Sequence, residues 1–204
     1  MLDIAQHIEN EWKHLKACPI YVACSGGLDS TALLVLLHSK GFNVTAIHVN
    51  YHLRGEDSNL DEAHLRQICK VKSIPVLVKS IELNVSLEEG GNLQQLARNV
   101  RYDWFEELIS STKNSSVFLA HHSDDQVETF FLNLARKSGV MGLSCMPKER
   151  DNIIRPFLDI SKENILLYAN KNKITWREDI SNQSNKYKRK LSRNEVARFV
   201  ADEI

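Results

Sequence analysis

Residues 25–30, with the sequence Ser-Gly-Gly-Leu-Asp-Ser, place two adjacent glycines among hydroxyl groups and a carboxylate. An apolar run at residues 19–24 precedes them and another at residues 31–37 follows, which predicts a buried strand, a tight turn and a helix. Such a turn aims backbone N–H groups and the positive end of a helix dipole at one point, which favours an anion such as phosphate. Adjacent glycines let the backbone approach the ligand closely and adopt a positive φ. The expected nucleotide-binding residues are Ser25, Gly26, Gly27, Leu28, Asp29 and Ser30.

This loop differs from a Walker A motif, because no Gly-Lys-Ser or Gly-Lys-Thr follows the glycines. It therefore lacks the lysine that would bind a transferred γ-phosphate. The alternative is an ordinary strand–helix turn built from small residues. The complete six-residue string between two apolar runs favours the phosphate-binding interpretation.

A second group of reactive side chains occupies residues 121–129, directly after an apolar run that is typical of a strand. Asp125 and Glu128 are three residues apart, so on a helix they share one side. Paired carboxylates there can hold Mg²⁺, bind an ammonium group or accept a proton. The alternative is an acidic first turn that compensates the helix dipole. Two histidines, among them His121, crowd the same strand end and favour a site.

The spacing after residue 122 predicts how this helix begins and packs. Ser123 and Gln126 have the spacing of a capping box. A helix packing one face on a sheet shows apolar residues at positions i, i+3, i+4 and i+7. This pattern is followed by Val127, Phe130, Phe131 and Leu134.

Two further clusters carry groups suited to binding. The segment 48–54 begins with His48 at the end of a predicted strand and ends with Arg54. Arg98 and Arg101 are predicted to share one face of a helix, where guanidinium groups could meet phosphate or a carboxylate. For these arginines, a solvated basic face is an equally good interpretation of the helix alone.

The elements that position these groups alternate along the chain. Strands are predicted at residues 19–24, 44–49, 75–78 and 117–120, with a short extended piece at 153–156. Helices are predicted after the glycine loop, at about residues 60–71 and 93–109, from Ser123, and from Ser161 to about 172. This alternation predicts an α/β fold with a doubly wound parallel sheet, whose ligands bind at the carboxyl ends of the strands.

Composition restricts the class of protein. The 204 residues have a net charge of +0 and are 43% hydrophobic and 25% charged, which is typical of a globular domain. Four scattered cysteines without a C-x-x-C pair argue against a zinc or iron–sulfur site and indicate reduced thiols. The first twelve residues lack the apolar segment of a signal peptide, and no apolar run is long enough to span a membrane. We therefore expect a soluble, cytoplasmic protein without a membrane partner.

The motifs, taken together, resemble a known family. The six-residue loop is similar to the SGGxDS signature of the PP-loop ATP pyrophosphatases, which implies the adenine nucleotide alpha hydrolase-like fold. The ordered set of motifs resembles tRNA(Ile)-lysidine synthetase over residues 20–198. Besides the loop, that set comprises residues 48–54 with 61–62, 97–102, 120–129, 139–147, 154–156 and 178–182.

The resemblance implies a reaction and its participants. That family uses ATP and Mg²⁺ to adenylate the C2 oxygen of the wobble cytidine in an isoleucine tRNA with a CAU anticodon, and free lysine then displaces AMP. It implies that the loop holds pyrophosphate, that Asp29 helps to place Mg²⁺, and that Asp125 and Glu128 receive the lysine ammonium. It further implies that Arg98 or Arg101 contacts phosphate or the cytidine, and that His48 and His121 belong to the nucleotide site. The implied partners are tRNA(Ile) and free lysine, with a homodimer as one oligomeric state.

The resemblance also sets the domain prediction. Residues 1–145 would form the catalytic PP-loop domain, and residues 146–204 a helical or irregular continuation with a basic tail at 186–193 that contacts tRNA. The segment Asn-Tyr-His-Leu-Arg at 50–54 departs from the family's Asn-His-Gly-Leu-Arg, and the tail pattern is altered. A PP-loop tRNA thiolase and a non-catalytic nucleotide- or RNA-binding module are the alternative functions.

Overall fold

The structure, a computed structural model, describes residues 3–83, 93–135 and 145–177. The strands in these ranges are β1 (Ile20–Ala23), β2 (Val44–Asn50), β3 (Val76–Ser80), β4 (Ser116–Phe118), β5 (Glu149–Arg150) and β6 (Ile153–Ile154). The helices are α1 (Ile4–Trp12), α2 (Leu28–Ser39), α3 (Glu56–Lys72), α4 (Leu93–Ser111), α5 (Ser123–Ala135) and α6 (Lys162–Lys171). A turn of 3₁₀ helix, Lys13–Leu15, follows α1.

The strands form one sheet in the order β3-β2-β1-β4-β6-β5. Every pairing is parallel except that of β5 with β6, so β5 is an antiparallel edge. The chain runs outward from β1 through β2 to β3, and then returns to place β4 on the other side of β1. A crevice opens at such a reversal, beyond the carboxyl ends of the two central strands. The predicted α/β, doubly wound parallel sheet is confirmed.

Apolar side chains cover both faces of the sheet. Successive residues of one strand belong to different core clusters: Val117 packs with Trp104 and Phe105 of α4, whereas Phe118 packs with α1, α2 and α6. Alternation with a period of two is what a strand buried on both faces requires. Helix α2 is apolar and buried from Ser30 to Leu37, so it lies inside the molecule and holds the glycine loop at its amino end.

Two sequence predictions about helices were incomplete or wrong. Helix α3 begins at Glu56, four residues before the start predicted near residue 60. Val127 is 44% exposed and Phe130 is 37% exposed, so these two side chains do not pack on the sheet as predicted. Periodicity identifies residues that share a helix face but does not say which face turns inward. Here Gln126 fixes α5, because its side chain bonds both the N–H and the carbonyl of Met146.

Helix α1 was not predicted from the sequence, yet it closes one side of the core. Asp3 caps it by accepting hydrogen bonds from the N–H groups of Ala5 and Gln6. Its buried residues are Ile4, Ile8 and Trp12. The Trp12 ring meets the Phe118 ring edge to face, with 6.2 Å between centroids. None of the helices in the described part of the chain is long and apolar enough to cross a membrane.

This packing predicts that shortening a buried side chain of α1 lowers the free energy of unfolding substantially. The side chain of Ile8 is 0% exposed, so Ile8→Ala should lower the free energy of unfolding by about 2–5 kcal/mol through lost burial and a cavity. Leu167→Ala on α6, where the side chain is 44% exposed, is the control and should cost under about 1 kcal/mol. Urea unfolding measures both. If Ile8→Ala and Leu167→Ala lowered the free energy of unfolding equally, the packing of α1 on the core would be contradicted.

Candidate active site

The glycine loop connects β1 to α2 at the crevice. Gly26 has a φ of +88°, in the left-handed region that favours glycine, whereas Gly27 has a φ of −79° and caps α2. The prediction of a positive φ therefore holds for Gly26 and is wrong for Gly27. The Ser30 hydroxyl closes the loop, because it accepts a bond from the Ser25 N–H at 3.2 Å and donates to the Gly27 carbonyl at 3.3 Å. Leu28 begins α2, and its side chain packs against the main core.

Asp29 lies in the first turn of α2 and faces two basic side chains. Its Oδ2 atom is 3.4 Å from Lys162 Nζ and 3.7 Å from His122 Nε2. Its Oδ1 atom is buried and has no hydrogen-bond partner among the described residues. One oxygen of this carboxylate thus faces the Lys162 ammonium and the His122 imidazole, and the other is available to a bound cation.

Sequence reasoning missed Lys162. It lies at the start of α6, whose cap Ser161 was recognised, and it reaches the crevice from the far end of the chain. The glycine loop itself has no lysine, and Lys162 supplies a positive charge beside it from another element. Only the tertiary fold brings Lys162 to Asp29, so no local spacing could have revealed it.

Asp125 joins the same cluster from the other side. Its Oδ2 atom is 3.6 Å from His122 Nε2, and it accepts a hydrogen bond from the His122 N–H at 2.9 Å. His122 is 5% exposed, so its imidazole is buried between Asp29 and Asp125. The structure therefore brings together two carboxylates that the sequence analysis found in separate motifs.

The capping prediction for α5 was wrong by one residue. His122 precedes the helix, and Asp125 returns from its first turn to the His122 N–H, which is one half of a capping box. The proposed pair, Ser123 and Gln126, does not form it, because Gln126 is bonded to Met146. Glu128 follows Asp125 by about one turn on α5 and is half-buried.

His121 is held neutral by its surroundings. Burial is the largest cause that lowers its pKa, to about 4, and the charges of Arg155, Arg98 and Arg101 act in the same direction. The nearby Asp125 acts in the opposite direction. The Nδ1 atom is buried without a hydrogen-bond partner among the described residues. At neutral pH this side chain presents an imidazole that adds no charge to the site.

Arg98 and Arg101 project from α4 and are exposed. The Arg98 guanidinium lies over the Tyr102 ring, 4.5 Å from its centroid, and donates a hydrogen bond to the Tyr102 hydroxyl. The charges of both arginines lower the pKa of His121. The third cation, Arg155, belongs to the motif at 154–156 but was given no role from the sequence. It is 7% exposed and donates to the Pro147 carbonyl.

His48 is a buried residue of β2 that contacts the end of β1. It is 6% exposed, and its Nδ1 atom lies 2.8 Å from the Cys24 carbonyl, just before the glycine loop. This contact fixes the end of β1. A direct contact of His48 with nucleotide stays a prediction.

Whether Asp29 can bind Mg²⁺, as predicted, depends on the metal-binding side chains around it. Across residues 3–83, 93–135 and 145–177, no group of three or more His, Cys, Asp or Glu side chains could hold a metal ion. Mg²⁺ does not require one, since it is commonly bound by one or two carboxylates together with substrate phosphates and water. The unpartnered Oδ1 atom of Asp29 is a hard oxygen donor of this kind, so the residues fit the ion.

Comparison with known proteins assigns the chain to a family. The model of the PP-loop domain matches residues 2–200. The chain belongs to the PP-loop domain family. It is 38% identical over 179 residues to the tRNA(Ile)-lysidine synthase of Porphyromonas gingivalis strain W83, covering 87% of this chain and 39% of that protein. It is 39% identical over 199 residues to the enzyme of the same name from Bacillus subtilis, covering 93% and 42%. The chain thus spans about two fifths of these curated relatives.

Solved structures support the fold of this PP-loop domain. The U34-tRNA thiolase NcsA from Methanococcus maripaludis, with its [4Fe-4S] cluster, superposes with a TM-score of 0.72 at 18% identity, over 86% of this chain and 65% of that one. The NMN synthetase from Francisella tularensis has a TM-score of 0.56 at 13% identity, over 86% and 73%. At such identities these likenesses concern the fold alone.

The environment of His121 predicts a pH dependence of stability. A histidine whose pKa is lowered on folding binds fewer protons in the folded state, so stability falls as pH decreases from about 6.5 toward 4. Between pH 6.5 and 5 the wild-type chain should lose roughly 1.5 kcal/mol more than His121→Gln, which cannot be protonated there. Urea unfolding at both pH values measures this difference. Equal losses would contradict the burial of a neutral imidazole at this position.

Proposed function

We propose that this domain ligates lysine to C2 of the wobble cytidine of tRNA(Ile) with a CAU anticodon. ATP first adenylates the C2 oxygen and releases pyrophosphate, and lysine then displaces AMP. The observation that carries this proposal is the juxtaposition of Asp29 from the glycine loop with Asp125 from α5 across His122. A phosphate-binding loop and a carboxylate suited to an ammonium group thereby face one crevice. The name shared by the relatives from P. gingivalis and B. subtilis supports the same reaction.

The loop side of the crevice suits the first step. Backbone N–H groups at the start of α2 would bind the pyrophosphate part of ATP, with Lys162 contacting phosphate oxygens from α6. Asp29 would hold Mg²⁺, which when bound neutralises the phosphate charge. Arg98 or Arg101 would contact phosphate or the cytidine, since both residues are exposed on α4 and a guanidinium group pairs well with phosphate.

The α5 side of the crevice suits the second step. Asp125 and Glu128 would receive the ammonium group of lysine in charge-assisted hydrogen bonds. One of these carboxylates would accept a proton from the ammonium group, because the attacking amine must be neutral to act as a nucleophile. The nitrogen then forms a bond to C2 as the bond from C2 to the adenylated oxygen breaks and AMP leaves. His121 would accept a hydrogen bond at this place without adding a positive charge that repels lysine.

Two of the four cysteines are poorly suited to sulfur transfer, the function of a PP-loop thiolase. Cys24 and Cys69 are both buried, and burial raises the pKa of the Cys24 thiol far above its usual value and that of Cys69 to about 11. A thiol acts as a nucleophile through its thiolate, so neither residue suits a sulfur carrier.

Gly27→Val tests nucleotide binding by the loop. The φ of Gly27 is accessible to valine, and an added Cβ would meet only the Ser25 hydroxyl, at 3.4 Å, so the fold should survive. The branched side chain should block the approach of phosphate and abolish ATP binding in calorimetry, with Gly27→Ala showing an intermediate loss. A folded valine variant that binds ATP like the wild type would exclude this loop as the nucleotide site.

The identity of the products tests the site of ATP cleavage. A PP-loop without a Walker lysine should release AMP and pyrophosphate in equal amounts, because the cytidine oxygen attacks the α-phosphate. Chromatography of a turnover mixture containing tRNA transcript, Mg²⁺ and lysine separates the nucleotides. ADP with inorganic phosphate would contradict the proposal.

Asp125→Asn tests the assignment of the lysine site. The asparagine carbonyl can still accept the His122 N–H, so the variant removes charge while retaining the cap. We expect the KM for lysine to rise by roughly tenfold to a hundredfold, because a hydrogen bond to a charged group is lost. Pyrophosphate release measured without lysine should largely persist.

The neighbouring Asp124→Asn is the matched control for this variant. Asp124 lies on the same turn and contacts the Ser123 hydroxyl, so its loss should leave the KM for lysine unchanged. Collapse of the lysine-independent step in Asp125→Asn would instead assign Asp125 to Mg²⁺.

A further inference from the structure

Asp61 of α3 lies between the guanidinium group of Arg54, which precedes the helix, and that of Arg177, which comes from a distant part of the chain. Its Oδ1 atom is 2.7 Å from Arg177 Nε, and its Oδ2 atom accepts a bond from Arg54 Nη2. Asp61 is 8% exposed, and Arg177 also reaches Asp57 on the same helix, at 3.4 Å. A buried carboxylate that satisfies two arginines is costly to break and holds its partners in fixed positions.

This ion cluster supports the glycine loop. A Cβ added to Gly26 would lie 3.5 Å from both the Cβ and the carbonyl oxygen of Asp61, so the loop backbone rests directly on Asp61. The backbone N–H of Arg177 donates to the Gly26 carbonyl at 3.1 Å. Arg177 therefore contacts the loop with its main chain and contacts the residue beneath the loop with its side chain.

The geometry of the peptide bond turns this contact into a constraint on the binding site. The bond between Gly26 and Gly27 is trans, so the Gly26 carbonyl and the Gly27 N–H point in opposite directions. Holding the carbonyl toward Arg177 fixes the direction of the Gly27 N–H. That N–H is 3.4 Å from the Ser25 hydroxyl at the mouth of the loop, where an incoming phosphate would compete for it.

We propose that Arg177 and Asp61 are positioning residues that fix the direction of the Gly27 N–H for nucleotide binding. This inference rests on the proposed binding of ATP by the loop. A glycine-rich backbone has many accessible conformations, and preorganising one of them reduces the entropy lost on binding. The ion pair between Arg177 and Asp61 supplies this preorganisation from outside the loop.

Calorimetry with Mg-ATP on the full chain tests the proposal. Arg177→Met keeps the backbone N–H but removes the side-chain anchor, and it should weaken Mg-ATP binding by about tenfold. Asp61→Asn should have a similar effect. The double variant should be little worse than either single variant for Mg-ATP binding, because both changes break the same ion pair between Arg177 and Asp61. The apparent KM for ATP should rise while kcat changes little.

Two controls separate positioning from general stability. Arg66→Met removes an exposed ion pair with Glu62 on the same helix and should bind Mg-ATP like the wild type. Ile8→Ala destabilises the core at α1, and it should also leave the affinity unchanged at a temperature where it is folded. If Arg177→Met does not fold, Arg177→Lys replaces it, since lysine keeps the charge but not the paired contacts with Asp61 and Asp57.

The outcomes distinguish this inference from the proposed function. If the wild-type chain binds Mg-ATP and a folded Arg177 variant binds it equally well, the positioning role is overturned while the proposed function stands. If Ile8→Ala weakens binding as much as Arg177→Met does, the effect is one of stability and the positioning role is also overturned. If the wild-type chain does not bind Mg-ATP, the proposed function fails and the inference fails with it.

Discussion

The parallel pairing of β1 with β4 places the two chemically richest segments of the chain at one edge of the sheet. Tyr21 is opposite Val117 and Val22 is opposite Phe118, so the two strands end within one residue of each other. The glycine loop follows one strand, and the two histidines with the first turn of α5 follow the other. A slip of one residue would exchange the faces of β4 and move Phe118 out of the main core. Burial on both faces therefore specifies the register, and the register specifies the site.

The electrostatics of the crevice follow from this arrangement. Two carboxylates that approach one another through a buried imidazole would repel without compensation, and Lys162 supplies a positive charge on the Asp29 side. Burial keeps His121 neutral, and the charges of Arg155, Arg98 and Arg101 act in the same direction. The crevice thus has a carboxylate pair flanked by cations. Such a site can accommodate both a polyphosphate and an ammonium group, which the proposed reaction brings together.

The sequence was sufficient to predict the features that local patterns encode. Apolar runs located the central strands within one or two residues, and the glycine string identified the β1–α2 turn. The residues 121–129 were recognised as a site because their unusual composition follows a strand. Local patterns also carried the resemblance to a family that the comparison with known proteins then supported.

Features that depend on tertiary contacts could not be predicted. Lys162 and Arg177 reach the glycine loop from far along the chain, and nothing in their neighbouring residues indicates this. The inward face of α5 was predicted wrongly because the helix is oriented by the hydrogen bonds between Gln126 and Met146, and not by its apolar stripe alone. Helix α1 was missed because the first twelve residues were compared only with the pattern of a signal peptide. The expected roles of residues 139–142, 178–182 and 186–193 lie outside the described residues and stay predictions.

The central claim is that one crevice joins nucleotide activation to capture of lysine. The most direct measurement is the transfer of labelled lysine to a tRNA(Ile) transcript with a CAU anticodon, in the presence of ATP and Mg²⁺. The account predicts label in the tRNA, dependent on ATP and lost when the wobble cytidine is replaced by uridine. Label that enters irrespective of the wobble base, or sulfur transfer in its place, would contradict the account.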